Sequence, residues 1–177
     1  MAKVDIGVDE FASAALPALR GTGLLLVSAS DRLGPNVMTI GWGLVGNLWG
    51  LPVFVVFVRP SRYTHRILEE AGDFTVNVPA RGMEDAVSKC GTVSGRRTDK
   101  FKETGLEPAP SRRVRSPIVR QCIAHLECSV VYRSSIDESR VPEAVKPSAY
   151  PKGDYHDVYF GEVLEAYADE DYRERLP

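Results

Sequence analysis

NVMTIGWGLVGNLWGLPVFVVFVRPSRYTHRILEEA, residues 36–71, decides how the rest of the chain is read. At its centre Pro52–Val58 (PVFVVFV) is a continuous β-branched and aromatic run, stopped by Arg59-Pro60. A run this short and apolar is a strand buried on both faces. Beyond it, Ile67 and Leu68 stand among charged neighbours, and Gly72 follows where a helix C′ residue belongs. Strand therefore hands over to helix at Ser61-Arg62-Tyr63-Thr64.

The charges of that helix run against its dipole. Arg62, His65 and Arg66 gather at the N-terminus, where the partial charge is positive, with Arg59 just before them; Glu69 and Glu70 sit at the negative end. The arrangement costs stability unless an anion such as a phosphate docks on the free N–H groups and lies between the arginines. Ser61, Tyr63 and Thr64 add hydroxyl donors at the same place. The alternative is a solvated basic turn in which Ser61 or Thr64 serves only as N-cap.

At 177 residues the chain reads as a single domain over 1–177, large enough for a sizeable core, although a barrel with a helical appendage fits the length equally well. Hydrophobic residues at 44% and charged residues at 26% are globular values. A net charge of −2 leaves no electrostatic footprint for nucleic-acid binding. No apolar run is long enough to span a membrane and the N-terminus lacks signal-peptide features, so no membrane partner is expected and a cytoplasmic location is. Cys90, Cys122 and Cys128 are odd in number and unsuited to a disulfide framework.

Along the chain, residues 1–19 form a lead-in with a short helix start at Asp9-Glu10. Residues 23–30 and 37–45 form a hairpin around Asp31-Arg32-Leu33-Gly34-Pro35. Gly21-Thr22-Gly23 precedes a strand and lacks a third glycine, so it is no dinucleotide fingerprint. Asp73–Pro79 alternates as a half-buried strand, with Asn77 on its polar side. Short helices are expected over 83–89 and from Asp99, with a flexible loop at 90–95 between them. Residues 107–117 read as structureless and 134–152, with Pro142, Pro147 and Pro151, as a mobile excursion. Residues 118–132 form a long strand or two pieces of one, and 155–167 a strand broken by Gly161. Acidic residues 169–171 look like a solvated tail. About six strands without βαβ alternation favour a mainly β, antiparallel barrel with short inserted helices.

Cys122, His125 and Cys128 invite a metal assignment. Strand alternation puts 122 and 128 on one face and 125 on the other, and paired CxxC spacing is absent, so no metal site is expected. Trp42 and Trp49 lie near Gly41, Gly43, Gly46 and Gly50, a combination that is either ordinary core or a place where backbone approaches a flat ligand. Asn36, Thr39 and Asn77 would line that ligand's edge. Joined to the anion site downstream, the pattern describes a phosphorylated, ring-bearing cofactor.

These blocks resemble the flavin reductase-like, FMN-binding split-barrel family of the flavoredoxin type. The resemblance rests on Asn36–Trp42, Pro52-Val53, Arg59–Thr64, Phe74–Asn77, Ser94-Gly95 with Asp99-Lys100-Phe101, Leu126–Cys128 and Tyr159–Val163, spanning about residues 20–165. It implies a six-stranded Greek-key split barrel that dimerises, with FMN near the interface. By position, the flavin ring and ribityl chain would lie against Met38, Thr39, Ile40, Gly41 and Trp42, and the phosphate on Ser61, Arg62, Tyr63 and Thr64. Ser94 and Lys100 would reach the same cofactor, and His156 would line the pocket where NAD(P)H or another donor stacks. The family more often has Gly-Asp-His where this chain reads Gly153-Asp154-Tyr155-His156.

The resemblance implies an oxidoreductase in which FMN carries electrons from NAD(P)H to an acceptor, the protein supplying position and electrostatics. Hydride transfer between stacked rings needs no catalytic triad. The second reading is an FMN electron carrier reduced by a redox protein, without a nicotinamide site. A third is a pyridoxamine-phosphate-oxidase-like relative acting on another phosphorylated heterocycle.

Overall fold

A computed structural model describes residues 2–177. The buried run is strand β5, in an antiparallel sheet whose elements follow in chain order: β1 (Lys3–Asp5), helix α1 (Val8–Arg20), β2 (Leu24–Ser30), β3 (Gly34–Ile40), β4 (Gly43–Leu48), β5 (Leu51–Val58), α2 (Tyr63–Ala71) and β6 (Asp73–Val78). There follow α3 (Glu84–Thr92), α4 (Lys100–Thr104), a small ladder of β7 (Pro108–Ala109) with β8 (Ile118–Val119), then β9 (Ala124–Ser135), α5 (Lys146–Ala149) and β10 (Asp157–Asp169). The sheet runs β3-β2-β6-β9-β10-β5-β4, with β1 added on β10, and all its pairings are antiparallel.

The class is as expected, but the sheet has eight strands rather than six. The hairpin strand read over 37–45 is two strands, because the chain leaves the β3 ladder at Gly41-Trp42 and restarts as β4 on β5. The other addition is β1, too short to carry a periodic signal.

Alternation along β5 explains its unbroken apolarity. Phe54, Val56 and Val58 enter the main core, while Val53 and Val55 belong to a second cluster on the opposite face. Helix α1 closes the core with Phe11, Ala14, Ala15 and Ala18, Phe11 meeting Phe54 edge to face at 6.4 Å between centroids. Burying Phe11 contributes roughly 1.5–3 kcal/mol, so the packed unit extends well before residue 20.

Several local expectations change once tertiary partners are present. β6 is buried on both faces, and Asn77 is fully buried among hydrogen-bond partners. Cys90 and Gly91 belong to α3, not to a loop. Residues 112–116 are held by two carboxylates: Glu127 accepts from the amides of Arg112, Arg113 and Val114, and Asp73 from those of Arg115 and Ser116. Gly161 marks a register shift rather than a break, because a Cβ there would collide with the Phe74 ring. Asp169 ends β10 as a buried partner of Lys3 (2.8 Å) and Arg175 (2.8 Å), so the acidic segment is not a solvated tail. No helix among the described residues is long and apolar enough to cross a membrane, and they contain no metal-binding cluster of His, Cys, Asp and Glu.

Candidate functional site

Helix α2 begins with Arg62 as its N-cap residue, and no side chain caps it, so neither Ser61 nor Thr64 plays the capping role. Gly72, left-handed at φ 70°, ends the helix as expected. Tertiary partners absorb most of the reversed charges: Glu70 pairs with Arg32, Glu69 with Arg133, and His65 Nε2 lies 2.6 Å from Asp157 Oδ2. Arg62 and Arg66 have no carboxylate partner among the described residues. The unpaid part of the electrostatic cost is thus concentrated at the N-terminus of α2, where a bound anion would offset it.

Two adjoining clefts open beside this terminus. One, of about 100 Å³, is lined by Asn36, Met38, Ser61, Arg62, Tyr63, Thr64, Ser94 and Lys100, with Cys90, Gly91, Val93 and Gly95. The other, of about 150 Å³, is lined by Met38, Thr39, Ile40, Gly41, Trp42, Arg59, Arg62 and His156, with Phe57. Met38 and Arg62 belong to both. The fold therefore brings together every residue expected at the cofactor except Asn77.

Asn77 is spent elsewhere. Its amide donates to Leu25 O and Thr75 Oγ1, and its Oδ1 accepts from Val119 N and faces His125 Nδ1 at 2.8 Å. Trp49, 69% exposed, lies against Tyr132 and outside both clefts. Of the four glycines near the tryptophans, only Gly41 lines either of these two clefts; a Cβ at Gly43 would meet the Phe54 ring instead.

The phosphate-sized cleft is held open from inside. Asn36 Nδ2 donates to the buried Thr64 Oγ1 at 2.8 Å, locking β3 to α2. Gly95 passes so close that a Cβ would collide with Asn36 Oδ1. Lys100 is buried and donates from Nζ to Cys90 O at 2.6 Å; burial pulls its pKa down to about 8, the Cys90 thiol opposing and Arg62 adding to the drop. Ser61 faces the Asp154 carboxylate, donating from N (3.2 Å) and from Oγ (2.5 Å). The hydroxyl of Thr39 points away and donates to Val87 O.

The ring-sized cleft ends in aromatic groups. The His156 ring lies 4.7 Å from that of Trp42, centroid to centroid, and its Nδ1 is 2.9 Å from the Tyr150 hydroxyl. Burial lowers the His156 pKa to about 4, Arg59 reinforcing the shift and Asp154 opposing it, so the imidazole is neutral at pH 7. Arg59 does not point a free guanidinium at the cleft. It donates to the carbonyls of Ala149 (2.7 Å), Gly153 (3.4 Å) and Asp154 (3.0 Å) and stacks on Tyr150. Tyr150 lies in the proline-rich excursion and Asp154 just past it, where no periodicity marks them; Phe57 is hidden in an apolar run.

A model of the flavin reductase like domain matches residues 19–176. The chain belongs to the flavin reductase-like family. This flavin reductase-like chain is 25% identical to the flavoredoxin of Desulfovibrio vulgaris (Miyazaki F), over 88% of its own length and 74% of that structure, with a TM-score of 0.68. It is 29% identical to the flavoredoxin of Methanosarcina acetivorans, over 85% and 69% of the two chains, with a TM-score of 0.67. An uncharacterized protein of Archaeoglobus fulgidus is 37% identical over 107 residues, 60% of this chain and 59% of that one. The flavin reductase-like chain spans less than two thirds of the length of the curated relatives it matches.

Proposed function

We propose that residues 1–177 form one FMN-binding domain, an oxidoreductase that passes electrons from NAD(P)H through bound FMN to an acceptor. The observation that carries this reading is the junction of the two clefts at Met38 and Arg62: an uncapped helix terminus and an unpaired arginine at one end, a neutral aromatic lining at the other. The residues fit the cofactor's chemistry, cationic donors for a phosphate and apolar walls for a ring. Arg62, Tyr63 and Thr64 with Ser94 and Lys100 would hold the phosphate; Met38, Thr39, Ile40, Gly41 and Trp42 would hold the ring. When bound, FMN supplies the redox chemistry.

The protein's part is position. Arg62, at the junction, anchors one end of the ligand and so fixes the register of the other against Trp42. His156, neutral and bonded to Tyr150, offers an uncharged flank to a donor ring. The structure of the donor side supports a reductase without a proton-transfer triad.

We also propose a homodimer. Leu44, Val55, Phe160 and Tyr132 stand in register across four strands on the face opposite the main core, with Leu44 57% and Tyr132 48% exposed. Each cleft is smaller than the ~300 Å³ at which small-molecule sites begin, as expected if a second subunit supplies a wall. Sedimentation at micromolar concentration that finds only a 19.5 kDa species would count against the dimer.

The likeness to two flavoredoxins favours a second reading, an electron carrier reduced by a redox protein. Purified protein loaded with FMN separates the two. NADH or NADPH should bleach the flavin band anaerobically within seconds if the chain is a reductase. Bleaching by dithionite alone identifies the carrier, and failure to bind any flavin removes both readings.

A further inference from the structure

Behind the ring cleft stands a tyrosine that does not line it. Tyr150 is buried, and among the described residues its hydroxyl meets only His156 Nδ1, at 2.9 Å. The Arg59 guanidinium lies 5.1 Å from the centre of its ring and holds the chain on both sides of it, at the carbonyls of Ala149, Gly153 and Asp154. The Tyr155 ring lies 4.4 Å away, centroid to centroid, and Trp42 packs edge to face at 6.1 Å. A phenol seated this firmly sets the state of the imidazole it touches.

A neutral imidazole has one N–H and one bare nitrogen, and the partner of one nitrogen decides the other. Burial raises the pKa of the Tyr150 phenol, Arg59 opposing, so the phenol keeps its proton at pH 7. That proton has no acceptor among the described residues other than Nδ1. Nδ1 therefore accepts, and the imidazole proton sits on Nε2. Nε2 itself has no hydrogen-bond partner, yet no side-chain nitrogen or oxygen of the described residues is buried without one. It is therefore open to the cleft that His156 lines. An N–H thus faces the space beside Trp42.

We propose that Tyr150 is a positioning residue that makes His156 a fixed hydrogen-bond donor, so that the ring cleft selects a planar ligand whose edge carries a carbonyl oxygen. The proposal rests on the reductase reading for the identity of the ligand, a donor ring entering beside Trp42, and goes beyond it by naming what sorts such rings. A carbonyl oxygen at that edge satisfies Nε2–H. A ring that presents an N–H or a bare carbon there leaves a desolvated donor unpaired and binds more weakly. Without the tyrosine hydroxyl the proton is free to occupy either nitrogen, and part of the molecules then present an acceptor instead.

The test pairs nitrogen NMR of the full chain with stopped-flow reduction of its FMN-loaded form by NADH and NADPH. Wild type should show His156 as the Nε2–H tautomer at pH 7, and Y150F a mixture of the two. Y150F should also raise the NAD(P)H concentration for half-maximal reduction about threefold to tenfold while the limiting rate stays within about twofold. In an H156Q background, where the side-chain amide supplies N–H without a tyrosine, the same substitution should change neither quantity. A merely structural tyrosine would lower both backgrounds alike. A proton on Nδ1 in wild type, an unchanged half-saturation in Y150F, or an equal loss in H156Q overturns the proposal. Failure of NADH and NADPH to reduce the wild-type protein overturns the reductase reading instead, and the NMR comparison then decides by itself whether Tyr150 sets the tautomer.

Discussion

The carboxylate of Asp154 grips Ser61 at both its amide (3.2 Å) and its hydroxyl (2.5 Å), placing an anion of the protein's own in front of helix α2. Asp154 sits there at φ 62°, a left-handed conformation that Asn tolerates as well as Asp. The carboxylate competes with a phosphate for Ser61 and repels it from Arg62. D154N should therefore tighten FMN by about threefold to tenfold, on the order of 1 kcal/mol for a partly exposed charge pair, and leave riboflavin unchanged. Equal affinities of the two proteins for FMN would remove Asp154 from the phosphate site.

Arg62 and Thr64 should separate binding from stability. R62A removes the unpaired cation at the cleft junction and is expected to weaken FMN about tenfold or more while changing riboflavin far less. T64A instead strips the acceptor from the buried Asn36 amide. Its main effect should be a loss of about 1–3 kcal/mol in chemical denaturation. Parallel loss of both flavins in R62A would mean that the turn is only structural.

His156 should act as a neutral group. H156A is expected to slow reduction by NAD(P)H without releasing FMN, and the wild-type rate should show no inflection from this residue between pH 6 and 8, since its pKa is about 4. The folded chain resists the proton that an unfolded chain takes up near pH 6.5, so this group's effect is to lower stability as pH falls from 6.5 toward 4. A stopped-flow pH profile that breaks near 6.5 in wild type and is flat in H156A would refute the neutral assignment.

A second histidine reports on the core. His125 Nε2 is 2.7 Å from the Lys3 ammonium and its Nδ1 2.8 Å from Asn77 Oδ1, whose neighbouring amide donates elsewhere. The network thus assigns the proton to Nδ1 and makes Nε2 the acceptor. Burial, reinforced by Lys3, holds its pKa well below the usual 6.5. Nitrogen NMR should find this single tautomer at pH 6.5, where an ordinary imidazole is half protonated, and a half-protonated ring there would contradict the arrangement.

What could be read from the chain was what is written locally. The apolar run of β5, the start of α2 after Ser61-Arg62 and the Gly72 stop are each set by neighbours in sequence, and each stands where the pattern put it. The cleft residues from 36 to 64 were legible because they flank that same handover. Asn77 was misjudged because alternation distinguishes faces but not what covers them, and here Val119 and His125 cover the polar one. Asp154 and Tyr150 were invisible for the opposite reason: they act across about ninety residues, through Arg59 and Ser61, from a segment with no period of its own.

Arg59 addresses that segment only through main-chain carbonyls at 149, 153 and 154, apart from its stacking on Tyr150. It asks the loop for a shape and almost nothing for identity. Residues 141–148 and 151–152 can therefore drift under mutation while the roof of the ring cleft keeps its seat. The loop can thus change its surface without disturbing the floor laid down by β3 and α2.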